Sequence, residues 1–489
     1  MWSVCRLLLA AAAASPAPAL GISPRGAPAG RTSSVTSERL LRWVTDGGAD
    51  LAVTWGPSPA GFGTGLAASA DLPAGATAAR IPRPLQLRAD APRLLPRSVA
   101  AVSAARRAAF PPGDAPLAAL AVALLAERDA GGASFFAPYV DALPATEDVD
   151  AAWLWNAGLR RAVLSPALAG AAQVLADRIA GEHAALVRVG AVVGGAEKYR
   201  WAKAVVLSHA HDLGDGAALL PVIDYSNHDD RHHFGWGAFV DDVDGAAASA
   251  GGAALLITDR AYQAGDEVWN NYGRRDNADL ALWSGFVCAR ATDACPFRCD
   301  VPRAPEDTDA AFADRCTRCG VTPERPFRVL KLPVHGPLER GIDDALDPAD
   351  ADAGPERTDG DVPLLGHEID PGATKDGIPR EVADFCRGVV PPACSPDEPA
   401  RWLQQAAARG RSSPARRRGA VLQLLREENG APSDQMCRRL RMALTLVEAE
   451  ETALVQLGEA AARWEKRLLA SVPEAPLPFF AVCCDDDQS

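Results

Sequence analysis

The chain has 489 residues, 48% of them hydrophobic and 23% charged, with 50 basic against 63 acidic side chains and a formal charge of -13. That length buries a sizeable core without disulfides or structural metals and accommodates two or three domains. An acidic body does not track a phosphate backbone, which argues against nucleic acid as a partner. No apolar run approaches the roughly 18 residues needed to span a bilayer.

The chain opens with Arg6 in a short basic start, an unbroken apolar stretch Leu7–Ala14, and small residues and prolines to Leu20. That is the form of a cleavable signal, and the Arg- and Ser-bearing, acid-free continuation to Ser37 has the form of a transit peptide. Residues 1–37 are therefore expected to be a leader suited to a plastid, the alternative being an Ala-rich extension with no address. Residues 38–90 read as short β segments at Gly65–Ala70, Ala76–Ile81 and Leu85–Leu87, separated by Gly and Pro. Residues 91–205 are Ala- and Leu-rich with helical spacing, as in Leu117, Leu120, Leu124 and Leu125. They predict a helical block in which Leu117–Ala126 is a buried helix. The β signal returns at Leu219–Tyr225, Ala254–Asp259 and Glu267–Tyr272, so a β-rich domain over 38–290 is split by a helical insertion.

Eleven cysteines do not make a disulfide scaffold in a chain this long. In a connector over 291–334, Cys295, Cys299, Cys316 and Cys319 form two close pairs able to give four thiolates to a structural zinc; ordinary reduced thiols are the alternative. Residues 335–378, rich in Asp, Gly and Pro, read as a solvated loop. Over 379–475, Met436, Leu440, Leu444, Val447, Leu454, Leu457, Ala461, Trp464 and Leu468 recur at steps of three, four or seven. They mark one face of a long amphipathic helix in a helical region, with 476–489 as a tail.

Three stretches carry chemistry. Gly61-Phe-Gly-Thr-Gly65 enters a predicted strand, and its glycines let the backbone approach a ligand; a strand follows where a dinucleotide fingerprint would open a helix. Leu220-Pro-Val-Ile-Asp-Tyr-Ser-Asn-His228 is an apolar run ending in polar groups, which must find partners in a network or a ligand. In Ala264-Gly-Asp-Glu-Val-Trp-Asn-Asn-Tyr272-Gly-Arg-Arg-Asp-Asn277, a strand delivers Tyr272 at its end and Asn277 is placed to cap the helix that follows, before Ser284-Gly-Phe286.

In this order, and with Tyr199-Arg-Trp-Ala202, these stretches resemble SET-domain protein methyltransferases of the branch holding the Rubisco large-subunit lysine methyltransferase and the actin-histidine methyltransferase. The resemblance implies an α+β fold: a β-rich SET domain with knot-like threading and a helical insertion, followed by an all-α substrate-binding domain. It implies S-adenosyl-L-methionine as cofactor, held by backbone groups of Phe62, Gly63 and Thr64 and by Asn227 and His228. Asp224, Ser284, Gly285 and Phe286 would line the same cleft. Tyr272 matches the family's catalytic tyrosine and, with His211 and Tyr225, would face the substrate. The chain departs from the pattern at His209, which stands where the branch has an arginine for the cofactor carboxylate; a neutral imidazole does not replace a guanidinium fork. Phe62 replaces an acidic residue. Ser284 replaces a second tyrosine of the Rubisco enzyme and matches the histidine-methylating one, and His211 stands where the latter has an Asn.

The function so implied is methylation of a lysine on a non-histone protein by a monomeric enzyme, with protein-histidine methylation as the alternative. A rival reading takes His209, His211, His228, His232 and His233, with Asp224, Asp229 and Asp230, as ligands of a catalytic metal, although no pair has the helix-face spacing of the zinc hydrolases. A third reading is a SET-like binding module without activity.

Overall fold

The computed structural model describes residues 34–59, 63–108, 110, 114–192, 194–213, 216–229, 239–240, 252–272, 275–288, 294–303, 307–333, 380–389, 397–410, 412–427 and 434–471. The leader up to residue 33, the loop 335–378 and the tail 476–489 lie outside these residues. The first described element is a helix, Ser34–Asp46, with Leu40 and Val44 fully buried. The described fold therefore begins before the expected boundary at 38, with a helix ahead of the expected strands.

Short antiparallel strands follow. They are β1 (Asp50–Leu51), β2 (Val53–Pro57), β3 (Thr64–Ala68), β4 (Thr77–Ile81), β5 (Leu87–Arg88), β6 (His211–Asp212), β7 (Ala217–Leu219), β8 (Phe239–Val240) and β9 (Ala254–Ile257). They form a sheet in the order β1-β4-β9-β8, a hairpin β2-β3 and a sheet β5-β7-β6. Two of these sheets pair strands from before and after the helical block: Ile81 lies opposite Ala254, and Leu87 opposite Leu219. The split β domain is thus observed. Its edges differ from expectation for a chemical reason. Pro82 and Pro84 fix φ and donate no hydrogen bond, so Arg83–Leu85 forms a 3-10 turn and only Leu87–Arg88 is strand. Pro221 likewise ends β7 early.

The insertion is helical throughout, with helices Pro96–Ala105, Asp114–Ala130, Pro166–Arg188 and Ala196–His209 as its main members. Leu120, Leu124 and Leu125 are buried in the second of these, as the spacing predicts. Polar groups inside the block are matched to one another. Glu127 accepts from Ser98 Oγ, from Ser134 Oγ and from Leu95 N, tying the start of one helix to the side of the next. Glu182 accepts from Tyr199 Oη at 2.9 Å and pairs with Lys203 Nζ at 2.9 Å, both charged side chains being buried.

The described residues fall into two units. One comprises Met1–Arg298, Val329–Ile369 and Ser413–Ala453; the other comprises Cys299–Arg328, Asp370–Ser412 and Leu454–Ser489. The C-terminal region is helical, as expected: Arg380–Val389, Glu398–Gly410, Ser412–Glu427 and Asp434–Ser471. On the last helix Leu440, Val447, Leu454, Leu457, Ala461 and Trp464 are buried, which confirms the face read from their spacing.

Candidate functional site

The route into the site begins at a strained turn. Val222 has φ 72° and ψ -55°, closed by Ile223 N donating to Pro221 O at 3.0 Å. A β-branched residue held in the left-handed region costs about 1–3 kcal/mol, and tertiary packing must impose it. Val222 is completely buried, which is where that packing acts. Ile223–Tyr225 then forms a 3-10 turn in place of the expected strand end. Tyr225 packs tilted against Trp55 with ring centroids 4.6 Å apart and donates to Ala142 O at 2.8 Å, and Tyr139 Oη donates to Asp224. Burial and the neighbouring Asp224 push the Tyr225 phenol well above its ordinary range. Asp224 and Tyr225 thus anchor the turn that aims Ser226–His228.

Asn227 is the hub. Its Nδ2 donates to Thr64 O at 2.9 Å and to Glu267 Oε1 at 2.7 Å, while Ser58 Oγ donates to Glu267 Oε2. Ser58 N in turn donates to Gly63 O at 2.9 Å. The glycine loop is therefore fastened to the second and third motifs by side chains. Gly65 leaves room for this contact: a Cβ there would stand 2.5 Å from Glu267 Oε1 and 2.8 Å from Asn227 Nδ2, so both side-chain ends would have to shift. Ser58 and Glu267 were not singled out as site residues from sequence; an acid at the start of an expected strand carries no sign of the burial that makes it a partner.

The segment Glu267–Tyr272, expected as a strand, makes only single bridges, Glu267 with Ala67 and Asn270 with His228. It changes partner between them, so no ladder develops. The change of partner delivers Tyr272 next to His228. The two rings stack at 4.9 Å, Tyr272 N donates to His228 Nδ1 at 3.2 Å, and Tyr272 Oη donates to Ser226 O at 2.7 Å. Nδ1 is thus an acceptor, which leaves the proton of a neutral imidazole on Nε2. Phe286 stands edge-on to both rings at 6.2 Å. It follows a π-helical turn, Leu280–Ser284, closed by Gly285 at φ 77°. Asn277 does not cap this helix. Asp276 does, accepting from Asp279 N at 2.8 Å, because the side chain of Asn277 is spent on both backbone groups of Cys288, at 2.9 and 2.7 Å.

Gly63, Thr64, Asn227, His228, Tyr272, Ser284, Gly285 and Phe286 are accordingly linked by direct contacts or chain adjacency into one cluster, whereas Phe62 lies outside the described residues. His209 ends its helix fully buried, with Nδ1 2.7 Å from Ser208 Oγ. His211 lies half-buried on β6 opposite Ala218. The rings of His228, Tyr272 and Phe286 pack against one another, and aromatic faces of this kind attract a cation or stack on a planar base.

No group of three or more His, Cys, Asp or Glu among the described residues is arranged to hold a metal ion. The proposed zinc ligands Cys299, Cys316 and Cys319 are buried free thiols that do not assemble such a site, and the Cys295 side chain lies outside the described residues. Burial pushes the Cys319 thiol up to about 11 and Cys299 well above the ordinary range, which favours the protonated form. Of the rival catalytic-metal set, His232, His233 and Asp230 are outside the described residues. A cavity of about 320 Å³, lined by Thr146, Glu147, Leu154, Arg200, Trp201 and Arg439 among others, shares no residue with the cluster.

The fold is that of a SET domain with a helical C-terminal region. It matches the crystal structure of the SET domain of LSMT bound to lysine and AdoHcy with a TM-score of 0.58 and 16% identity, over 89% of this chain and 93% of that one. The structures of Rubisco LSMT bound to AdoMet, and to sinefungin and monomethyllysine, match at TM-score 0.57 with 16% and 15% identity over the same shares. No protein-family profile and no curated protein matches the sequence.

Proposed function

We propose that this chain is an S-adenosylmethionine-dependent protein N-methyltransferase acting on a lysine side chain of a non-histone protein. The observation that carries the reading is the stacking of Tyr272 on His228, with its hydroxyl on Ser226 O, beside a glycine loop fastened by Asn227. It is supported by likeness to the structure of the SET domain of LSMT bound to lysine and AdoHcy. When bound, the cofactor supplies a methyl group on a positively charged sulfur, open to in-line displacement by a nitrogen.

The protein's own residues have three tasks. Asn227 and Glu267 hold the glycine loop, so its backbone is preorganised for the ligand. The Tyr272 hydroxyl, donating its hydrogen bond to Ser226 O, keeps its oxygen lone pairs as an acceptor that orients the incoming amine. The buried surroundings of the site exclude water, and burial disfavours the ammonium form; in water only about one lysine in a thousand is neutral near pH 7.5. Histidine methylation is the second reading, because Ser284 puts a small side chain where a second phenol would stand; a histidine acceptor is already largely neutral and needs orientation more than deprotonation.

The test is incubation of the purified chain with labelled methyl donor and a proteome extract, alongside calorimetry with S-adenosylhomocysteine. Tyr272→Phe is expected to lower transfer about 100-fold or more with ligand binding retained. Equal labelling by the two proteins would refute the role of Tyr272. Absence of ligand binding would leave a SET-like module without this activity. Hydrolysis of the labelled product distinguishes methyllysine from methylhistidine.

A further inference from the structure

Gly285 and Phe286 are held from outside the three motifs. A Cβ on Gly285 would meet Ala151 N at 2.5 Å and the Asp150 carbonyl carbon at 2.7 Å, so this turn lies directly against the 150–151 peptide. That peptide is itself pinned. Trp155 Nε1 donates to Asp150 O at 2.8 Å, and the Asp150 carboxylate, almost completely buried, accepts from Arg438 Nε at 2.6 Å and Arg439 Nε at 3.1 Å. Arg438 also donates to Glu147 O at 3.0 Å, and the Arg439 guanidinium lies 6.0 Å from the Trp155 ring. The two arginines belong to the first turns of the helix Asp434–Ser471, 288 and 289 residues along the chain from Asp150.

A carboxylate held by two guanidinium groups at low exposure is rigid, since loss of either partner leaves buried charge short of compensation. Burial raises the Asp150 carboxyl and lowers the Arg439 guanidinium, the directions expected of a pair kept from water. We infer that Asp150, clamped by Arg438 and Arg439, is a positioning residue that fixes Gly285 and therefore the Phe286 ring against His228 and Tyr272. The start of the last helix is thereby part of the ligand site's support. Its consequence for methyl transfer rests on the function proposed above; its consequence for the Gly285–Phe286 turn does not.

The experiment uses the full chain with Asp150→Asn, which keeps the volume but turns one acceptor into a donor facing arginine. Arg439→Lys is the milder second variant, retaining the charge without the Nε donor. Hydrogen–deuterium exchange is followed at 285–288, at 147–155 and, as an internal control, at 117–126. Faster exchange at 285–288 in both variants, with the control unchanged, is the expected result. Affinity for S-adenosylhomocysteine, measured on folded protein, should fall about 10-fold or more, the scale on which small misplacements act. Exchange confined to 147–155 and 434–442, with 285–288 as in the wild type, would overturn the inference. A wild type that binds no S-adenosylhomocysteine defeats the proposed function, and the exchange at 285–288 still decides the positioning role.

Discussion

The helical insertion and the motif cluster both bury polar side chains, and they satisfy them differently. In the insertion, buried carboxylates gather side-chain donors: Tyr199 and Lys203 on Glu182, Ser98 and Ser134 on Glu127. Regular helices already saturate their own backbone, so a buried polar side chain there needs a partner of its own kind. In the cluster, beside the Glu267 contacts with Asn227 and Ser58, side chains repeatedly answer backbone: Asn227 on Thr64 O, Tyr272 on Ser226 O, His228 on Tyr272 N, and Asn277 on Cys288. Segments that make single bridges leave backbone groups over, and these side chains stand in for missing ladder bonds. The first pattern secures stability, and the second fixes the shape of a site.

The comparison breaks if substitutions in the two regions have the same consequences. Lys203→Met strands the buried Glu182 carboxylate and is expected to cost about 3–5 kcal/mol in denaturant unfolding. Affinity of the remaining folded protein for S-adenosylhomocysteine should be unchanged; a matching loss of affinity would dissolve the distinction. Gly65→Ala pushes a methyl group into the Asn227–Glu267 contact, whose side-chain ends can shift. It should cost only about 1–3 kcal/mol while weakening ligand binding disproportionately, which calorimetry beside a melting curve would show.

A smaller effect comes from pH. Burial, with help from Glu182, holds the Tyr199 phenol far above its ordinary 10.0, and burial does the same for Tyr225. The folded state therefore keeps protons that the unfolded chain releases above pH 10, so stability falls as pH rises. At pH 11 the loss is about 1.4 kcal/mol for each such phenol. A spectrophotometric titration should show these tyrosines ionising only as the chain unfolds; early titration of Tyr199 would contradict the closed, mutually paired interior of the insertion.

Periodicity alone identified the insertion and the last helix, because a helix writes its buried face into local sequence. The three motifs and Tyr272 were also legible, through spacing that resembles a known family. The strand ends were not: prolines at 82, 84 and 221 cut the apolar runs short. Asn277 read as a cap, since nothing local says that Cys288 will claim both ends of its amide.

What the sequence by itself determined is the order of elements and the chemical inventory, for those depend on side-chain pattern within a few turns of chain. Only the tertiary structure decided which groups meet: Glu267 with Ser58 and Asn227, and Asp150 with two arginines from the far end of the chain. The physical reason is that a buried polar group takes whichever partner folding brings within hydrogen-bond reach, and that partner's distance along the chain leaves no periodic trace.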